Sequence, residues 1–399
     1  MPAIGIRSRP IKRSTEGEIS WSQARELAAS LVAIGPSEIV PLADSDNRVL
    51  ARDHFALVNL PSFDNSAMDG WAVSGSGPWQ VTRELIAGVF PDWTLAPGQA
   101  CTIATGAPIP IGTTAIIRSE HGQLIDGQLH ATREPSDDIR REGEECRVGD
   151  LIIGAHARLT PSALGVLGAT GHDRLEVYVR PKVHILVFGD ELVFRGIPKP
   201  GQIRDSLGPQ LPGWLDRMGA QISGITHCTD SLDAVRQELE KVDCDIMITT
   251  GGTAAGPRDF LRAVLQQLGA VIHIDGVHVR PGHPMMLATI QRHQQLPVIG
   301  LPGNPLSAIV GLLTLAQPLI NSALGLPLPE LESLVSADNL FTKDGTRLVA
   351  GFARSGEFHV SEFNGSAMLR GLSHSTGFAV IEEDVAAGHR VSYLPLPHN

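Results

Sequence analysis

The stretch DIMITTGGTAAGP (residues 245–257) decides the fold class of this chain. Its first half is a short, continuous apolar run, which is typical of a strand buried on both faces of a parallel sheet. A glycine-rich turn follows directly, and DFLRAVLQQLG (259–269) after it has apolar residues at helical spacing. We therefore predict a strand, a loop and a helix in succession, with the loop at the carboxyl end of the strand.

The same unit recurs on both sides of this stretch. Upstream, the apolar run VHILVF (183–188) leads into GDEL (189–192), and downstream PVIGL (297–301) leads into PGNP (302–305). Segments with a helical pattern alternate with these runs, and they lie at 206–219, 231–242 and 306–320. Strands that alternate with helices in this way predict an α/β domain with a doubly wound parallel sheet, for which we expect the bounds 181–326.

The rest of the chain predicts three further regions. Short β-rich runs between Gly and Pro turns indicate a β-rich inserted domain at 52–144. A capping box at Ser20 opens one amphipathic helix, and Thr160 followed by Pro opens another. We expect these two helices to pair in an interrupted N-terminal domain that comprises 19–51 plus 145–180. Residues 327–399 return to short strands and predict a C-terminal β domain.

Composition excludes several classes of protein. The chain has 399 residues, 42% of them hydrophobic, and a formal net charge of −11, which argues against a nucleic-acid or membrane-surface binder. The four cysteines form no CxxC pair, so we expect free thiols in a reducing cytoplasm. The sequence has neither a secretory signal nor a run of about eighteen apolar residues, so we expect no transmembrane helix.

Two glycine-rich loops at the ends of predicted strands are candidates for an anion site. Gly251, Gly252 and Gly256 would allow close backbone approach, and amides at a following helix start favour phosphate. In PGNP, Asn304 suits an N-cap and Pro305 suits the first helical position. The alternatives are that the first loop is merely a tight turn and that the second is only a good helix start.

Charged residues near these loops suggest further ligands. Glu191 follows one strand, while Asp230 and Asp259 lie near helix starts, so each acid also has a structural interpretation as a cap or a dipole partner. Taken together beside an anion site, they suggest Mg²⁺. Arg280 and His283 of RPGHP would hold phosphate or another oxyanion, with a solvated turn as the alternative.

Two polar loops in the β-rich region are candidate ligand loops without a unique chemistry. SFDNSAMDGWAV (62–73) has several polar residues around its methionine, among them Asp69. ATGAPIP (104–110) is a proline-bounded turn with one hydroxyl, that of Thr105.

In this order, SFDNSAMDGWAV, ATGAPIP, GDEL, TTGGTAAGPRD, RPGHP and GLPGNPLSA resemble the molybdopterin molybdenumtransferase family, which includes MoeA and the gephyrin E-domain. The resemblance extends from about residue 20 to the end of the chain. It implies an elongated homodimer of four-domain subunits, whose α/β domain binds the pterin and whose active-site cleft includes the second subunit's β domain. It also implies that molybdate is inserted into adenylylated molybdopterin with release of AMP, usually with Mg²⁺. Contact with the adenylyltransferase that acts one step earlier is a further expectation.

The resemblance assigns roles to individual residues. Asp69 and Thr105 would be the contributors from the second subunit, and Glu191, Asp230 and Asp259 would be the acids at the metal and the pyrophosphate. The pterin loop would be shaped by Pro302, Gly303, Asn304 and Pro305. Arg280, with His283 nearby, would hold molybdate or phosphate. The implied mechanism is electrostatic: the metal and the cations neutralise the anhydride and molybdate.

This chain also departs from the family pattern. It has Thr253-Ala254 where members usually read Val-Ser, His283 where a lysine is usual, and Leu207 where an asparagine is usual. Phe188 replaces a hydroxyl residue before GDEL. These departures motivate an alternative, a divergent paralogue that binds pterin or molybdate without turnover. A nucleotide or pyrophosphate hydrolase built on the same α/β domain is the third hypothesis.

Overall fold

The computed structural model describes residues 19–253, 260–292 and 294–397. Its α-helices are α1 (Trp21–Leu31), α2 (Pro161–Ala169), α3 (Leu207–Arg217), α4 (Leu232–Lys241), α5 (Phe260–Gln267) and α6 (Pro305–Ala323). Short 3₁₀ helices lie at Leu42–Asp44, Ser119–His121 and Leu372–His374. The predicted Gly256 and Asp259, and the departure at Ala254, lie outside the described residues.

A six-stranded sheet forms the centre of the α/β domain. Its strands are, in spatial order, Gln221–Cys228, Lys182–Phe188, Ile246–Thr250, Gln295–Leu301, Met286–Gln291 and Val271–Asp275. The first four are parallel, which confirms the predicted fold class, and the last two add an antiparallel edge that the sequence did not reveal. Apolar residues of α3 and α6 cover one face, while those of α4 and α5 cover the other.

The β-rich inserted region contains a second six-stranded sheet. Its strands are, in spatial order, Ala115–Arg118, Gly70–Val73, Gln99–Ile103, Trp79–Leu85, Gln128–Ala131 and Gly122–Ile125. The short pair Asn65–Ser66 and Ile139–Arg140 lies beside it. Gly70, the first residue of its strand, pairs with Ile103, the last residue of the neighbouring strand. The residues just before Gly70 and just after Ile103 therefore lie at the same edge of the sheet. This edge carries both polar loops identified in the sequence.

A third, seven-stranded sheet joins the α/β domain to the C-terminal region. Its strands are, in spatial order, Ile19–Ser20, Val277–Arg280, Thr346–Arg354, Glu357–Val360, Glu332–Ser336, Arg390–Pro395 and Gly377–Ile381. The strand Val277–Arg280 comes from the α/β segment and pairs in parallel with Thr346–Arg354. The sheet therefore crosses the boundary that we proposed between residues 326 and 327.

The N-terminal helix packs differently from the prediction. The capping box forms as expected, since the Gln23 amide donates to Ser20 Oγ at 3.3 Å and the Ser20 amide donates to Gln23 Oε1 at 3.2 Å. However, the buried face of α1 packs against α6, whereas Leu167 of α2 belongs to a separate cluster. The expected pairing of α1 with α2 is thus corrected. Strands join the two N-terminal segments instead, because Ser37–Pro41 pairs with Arg174–Tyr178. His54–Phe55, which the predicted bounds placed in the inserted domain, pairs with Leu151–Ile153.

The longest helix, α6, passes through the core. In the part of the chain described, it is the one helix long and apolar enough to cross a membrane by length and composition, with a mean hydropathy of 1.5. In the fold, 83% of that apolar window is buried, as in a core helix of a globular domain. The helix includes a π-helical segment at Leu312–Ala316.

The cysteines are all unpaired, as predicted. Burial raises the pKa of Cys101 to about 11 and that of Cys244 to about 12. Both thiols therefore stay protonated near neutral pH and behave as small apolar core groups rather than nucleophiles.

Candidate functional site

The two glycine loops lie against each other at the carboxyl edge of the α/β sheet. The Gly251 amide donates to the Leu301 carbonyl oxygen at 2.8 Å, and a Cβ placed on Gly303 would lie 3.7 Å from Gly251 Cα. Gly251 and Gly252 both have left-handed backbones, with φ of 84° and 69°. Strand Lys182–Phe188 is the first strand of this sheet along the chain, and the next two, Gln221–Cys228 and Ile246–Thr250, lie on its opposite sides. This edge is therefore the topological switch point where open α/β sheets bind ligands.

An aromatic side chain packs beneath the glycine loop at this edge. Phe188 is only 8% exposed, and a Cβ placed on Gly252 would lie 3.4 Å from its ring. The ring belongs to the apolar cluster beneath α4 and α5. Phe188, which stands where the family usually has a hydroxyl residue, is therefore part of the hydrophobic core and provides no polar side chain at this edge.

Two segments that carry acidic residues meet beside the same edge. The Asp230 amide donates to Asp190 Oδ1 at 3.2 Å, which joins the segment after Phe188 to the segment after Cys228. Glu191 is exposed one residue farther on. Within 19–253, 260–292 and 294–397, no group of three or more His, Cys, Asp or Glu side chains is arranged to hold a metal. The predicted set includes Asp259, which lies outside these residues, so it stays a prediction.

The segment Asp205-Ser-Leu has a structural role. Asp205 is buried, and its Oδ1 accepts hydrogen bonds from the Leu207 and Gly208 amides at 3.0 Å each. These bonds satisfy amides in the first turn of α3. Leu207 itself is 5% exposed and packs in the core beneath α3, so the departure from asparagine replaces a polar group with a core residue.

A cavity of about 400 Å³, here called the junction pocket, lies where the α/β segment meets the C-terminal region. It is lined by Val279, Arg280, Pro281, Gly282, His283, Pro284, Ser307, Arg347, Asn364 and Ser366. Arg280 and Arg347 are direct neighbours across the strand pair. Like charges placed opposite each other are unfavourable, and an anion between them would relieve the repulsion. Sequence reasoning identified Arg280 and His283 but missed Arg347, because the strand pairing that brings it there is long-range.

The start of α6 is occupied by a carbonyl oxygen. Asn304 takes the predicted N-cap position and Pro305 the first helical position, but the Asn304 side chain makes no capping hydrogen bond. Instead, the Leu306 and Ser307 amides donate to the Ser366 carbonyl oxygen at 3.0 and 3.3 Å. The amides that we expected to bind an anion are thus engaged. The segment 361–371 that carries this oxygen is called the capping loop below.

Asp69 and Thr105 lie together in the β-rich region. The Thr105 amide donates to Asp69 Oδ1 at 2.7 Å, and this bond, helped by the Thr105 side chain, lowers the pKa of Asp69 below its ordinary value. A Cβ placed on Gly70 would lie 2.0 Å from the Ile117 carbonyl oxygen, which explains the glycine after Asp69. Those predicted site residues that the structure describes therefore fall in two places, the β-rich edge and the α/β edge with the junction pocket.

The candidate site lies at the switch point of a doubly wound sheet, and separate β regions carry further polar loops. This arrangement defines a multidomain, ligand-binding α/β protein. Residues 19–171 match the family model "MoeA N-terminal region (domain I and II)", and residues 184–322 match "Probable molybdopterin binding domain". A molybdopterin molybdenumtransferase from Synechococcus elongatus is 34% identical and covers 95% of this chain and 100% of its own length. One from Haemophilus influenzae is 32% identical and covers 91% and 94%, respectively. The chain belongs to the molybdopterin molybdenumtransferase family.

A solved structure supports the same fold. The crystal structure of the molybdopterin biosynthesis MoeA protein from Pyrococcus horikoshii OT3 has a TM-score of 0.76 with this chain. The two are 22% identical, and the match covers 95% of this chain and 100% of that one. The family resemblance and the fold class predicted from the sequence are confirmed.

Proposed function

We propose that this protein is a molybdopterin molybdenumtransferase, which inserts molybdate into adenylylated molybdopterin and releases AMP. The observation that carries the proposal is that one loop lies beside two candidate ligand sites, the glycine edge and the junction pocket. Gly303 contacts the glycine edge on one side, and Ser307 lines the junction pocket a turn farther on. The names of the relatives in Synechococcus elongatus and Haemophilus influenzae support the same activity.

The glycine edge is the proposed site of the pterin and its phosphoanhydride. Gly251 and Gly252 lack side chains that would block approach, and their left-handed backbones expose peptide groups at the sheet edge. Pro302, Asn304 and Pro305 fix the shape of the neighbouring loop, since two prolines restrict its backbone.

The junction pocket is the proposed molybdate site. Molybdate is a tetrahedral dianion, and Arg280 and Arg347, which are paired across the strands and both line the pocket, would neutralise it. His283 lines the same cavity and supplies a ring nitrogen where the family usually has a lysine. Charge complementarity therefore comes from two arginines here, with the imidazole as an additional hydrogen-bonding group.

The acids at the switch point are the proposed Mg²⁺ ligands. The contact between Asp190 and Asp230 shows that the two acidic segments converge, and carboxylate oxygens are the donors that Mg²⁺ prefers. Glu191, Asp230 and Asp259 would hold the ion. When bound, it would supply positive charge at the phosphoanhydride oxygens.

The proposed chemistry is electrostatic. The arginines hold molybdate, and the glycine edge holds the anhydride, so that a molybdate oxygen or water meets the adenylate phosphorus. A new P–O bond forms there, the anhydride P–O bond breaks, and the pterin side keeps its terminal phosphate. If that oxygen comes from molybdate, its Mo–O bond breaks, AMP leaves with it, and the two dithiolene sulfurs bond to molybdenum in its place. If it comes from water, AMP leaves with the water oxygen, and the two protons released leave with one molybdate oxygen as water when the sulfurs bind. Asp69 and Thr105 complete the cleft from a second subunit.

The proposal extends to the cellular setting. We infer a cytoplasmic homodimer, which the four unpaired cysteines and the two separate residue groups support. We also infer that the dimer receives its adenylylated substrate by contact with the preceding adenylyltransferase.

The test is single-turnover release of AMP from adenylylated molybdopterin in the presence of Mg²⁺. We expect release that depends on molybdate, as measured by chromatography of quenched samples. Tight binding of the substrate without any AMP would contradict the transferase and favour the non-catalytic paralogue. Rapid hydrolysis of unrelated nucleotides would instead favour the pyrophosphate hydrolase.

A further inference from the structure

The capping loop is closed at its base by buried hydroxyl groups. Ser361 and Ser375 are 6% and 8% exposed, and their Oγ atoms lie 2.9 Å apart. Ser375 Oγ donates to the Gly371 carbonyl oxygen at 2.8 Å, and a Cβ placed on Gly371 would lie 2.3 Å from the Glu362 carbonyl oxygen. The two ends of the loop are therefore held in contact.

The tip of the loop lines the junction pocket. Asn364 and Ser366 lie in its wall. The Ser366 carbonyl oxygen accepts from the Leu306 and Ser307 amides, which lie in the first turn of α6. Asn364 Nδ2 donates to the Ser361 carbonyl oxygen, whereas its Oδ1 is buried without a hydrogen-bond partner among the described residues. The wall opposite Arg280 thus depends on the shape of this one loop.

Between base and tip, the loop has an unfavourable backbone. Phe363 has a φ of 62°, a left-handed conformation that is rare for a bulky side chain. Its ring lies beneath the Arg370 guanidinium, with 4.8 Å between Cζ and the ring centroid. The same residues border a second cavity of about 370 Å³, which shares no lining residue with the junction pocket. The cavity leaves this part of the loop with little packing, and the Phe363–Arg370 contact is one of the interactions that hold the strained turn.

We propose that Phe363 and Arg370 are positioning residues for molybdate, which lock the capping loop so that Ser366 and Asn364 complete the junction pocket. The inference rests on the proposed function, because it assigns the junction pocket to molybdate. Neither side chain lines that pocket, so both act through the loop. Strain of this kind persists where the surrounding structure determines it, and it concentrates at ligand clamps.

The experiment measures KM for molybdate and for adenylylated molybdopterin separately. For Arg370→Ala we expect the molybdate KM to rise about fivefold, the range of a single cation–π contact, with kcat at saturating molybdate nearly unchanged. Phe363→Gly, which removes the ring and permits a positive φ, should raise the molybdate KM similarly. Arg370→Lys keeps a cation over the ring and should restore most of the affinity. The KM for the pterin substrate should not move in any of them.

Ser355→Gly is the matched control. Ser355 also has a positive φ, 51°, in the turn between Thr346–Arg354 and Glu357–Val360, but it lies outside the capping loop. It should leave both KM values unchanged. An unaltered molybdate KM in folded Arg370→Ala and Phe363→Gly would overturn the proposal, as would an equal rise for both substrates.

Direct molybdate binding, measured by calorimetry, separates this inference from the proposed function. If the wild-type protein binds molybdate without releasing AMP, and Arg370→Ala binds it more weakly, the transferase fails while the positioning role stands. If the wild-type protein releases AMP but the variants bind molybdate normally, the positioning role fails alone.

Discussion

Asp138 shows how one carboxylate fixes the loop that carries Asp69. Its oxygens accept from Arg118 Nε at 2.8 Å and from Arg118 Nη2 at 2.9 Å, and Ser136 Oγ donates to it as well. The backbone oxygen of Asp138 accepts from the Ala67 amide at 2.8 Å, two residues before Asp69. The hydrogen bond from Arg118, followed by that from Ser136, lowers the pKa of Asp138. The polar loop therefore depends on a charged group outside it.

Asp138→Asn should lower the stability of the β-rich region at neutral pH. A depressed pKa contributes stability above the ordinary Asp pKa, and this stability is lost as pH falls through the lower folded-state value. We therefore expect the urea midpoints of wild type and variant to differ at pH 7, and the difference to shrink as pH falls below about 4 and through the lower folded-state pKa of Asp138. A difference that persists unchanged at pH 3 would contradict the electrostatic explanation.

At the scale of the element, α6 joins three parts of the chain. Its first amides bind Ser366, its middle contacts α1, and its buried face packs against the sheet. In the middle, Trp21 Nε1 donates to Thr314 Oγ1 at 2.9 Å, and Thr314 Oγ1 donates to the Val310 carbonyl oxygen at 2.7 Å. Trp21 is 2% exposed and Thr314 fully buried, so water cannot replace these bonds.

Thr314→Val should destabilise the protein by about 1–3 kcal/mol, the cost of leaving the buried indole N–H of Trp21 without an acceptor. Thr314→Ser keeps the hydroxyl and should cost less, since only a methyl group is lost. Chemical denaturation followed by the fluorescence of the five tryptophans together would measure both. Equal losses for the two variants would show that packing, rather than the hydrogen bond, matters at this position.

The elements also show what the sequence could and could not predict. Strands such as Ile246–Thr250 were predictable because a buried parallel strand is a continuous apolar run. The edge strand Val271–Asp275 was not, since His273 interrupts its apolar residues. The partner of α1 and the oxygen that caps α6 were also beyond reach. The partner of α1 lies hundreds of residues away along the chain, and the oxygen that caps α6 lies tens of residues away. Local sequence patterns carry no information about such contacts.

At the scale of the whole molecule, the candidate site is divided between regions. Asp69 hydrogen-bonds to Thr105 and its carbonyl oxygen accepts from Ser119, all within the β-rich region. Arg280 and Arg347 meet at the other site group, across the seam between the α/β and C-terminal regions. The motifs predicted both groups, and the family resemblance implied that they come from different subunits; within one chain they lie in different regions. A homodimer in which each cleft combines one group from each subunit would unite them.

Subunit complementation tests this arrangement. Asp69→Ala and Arg280→Ala should each abolish molybdate-dependent AMP release, because each removes one group from every cleft. When the two variants are co-expressed in equal amounts, half of the dimers are hybrids with one unaltered cleft, so activity should return to about a quarter of wild type. Asp69→Ala combined with Thr105→Ala is the control, since both changes fall on the same region and no unaltered cleft can form. If the first pair stays as inactive as the control although hybrid dimers are detected by mass spectrometry, each cleft is built from a single chain.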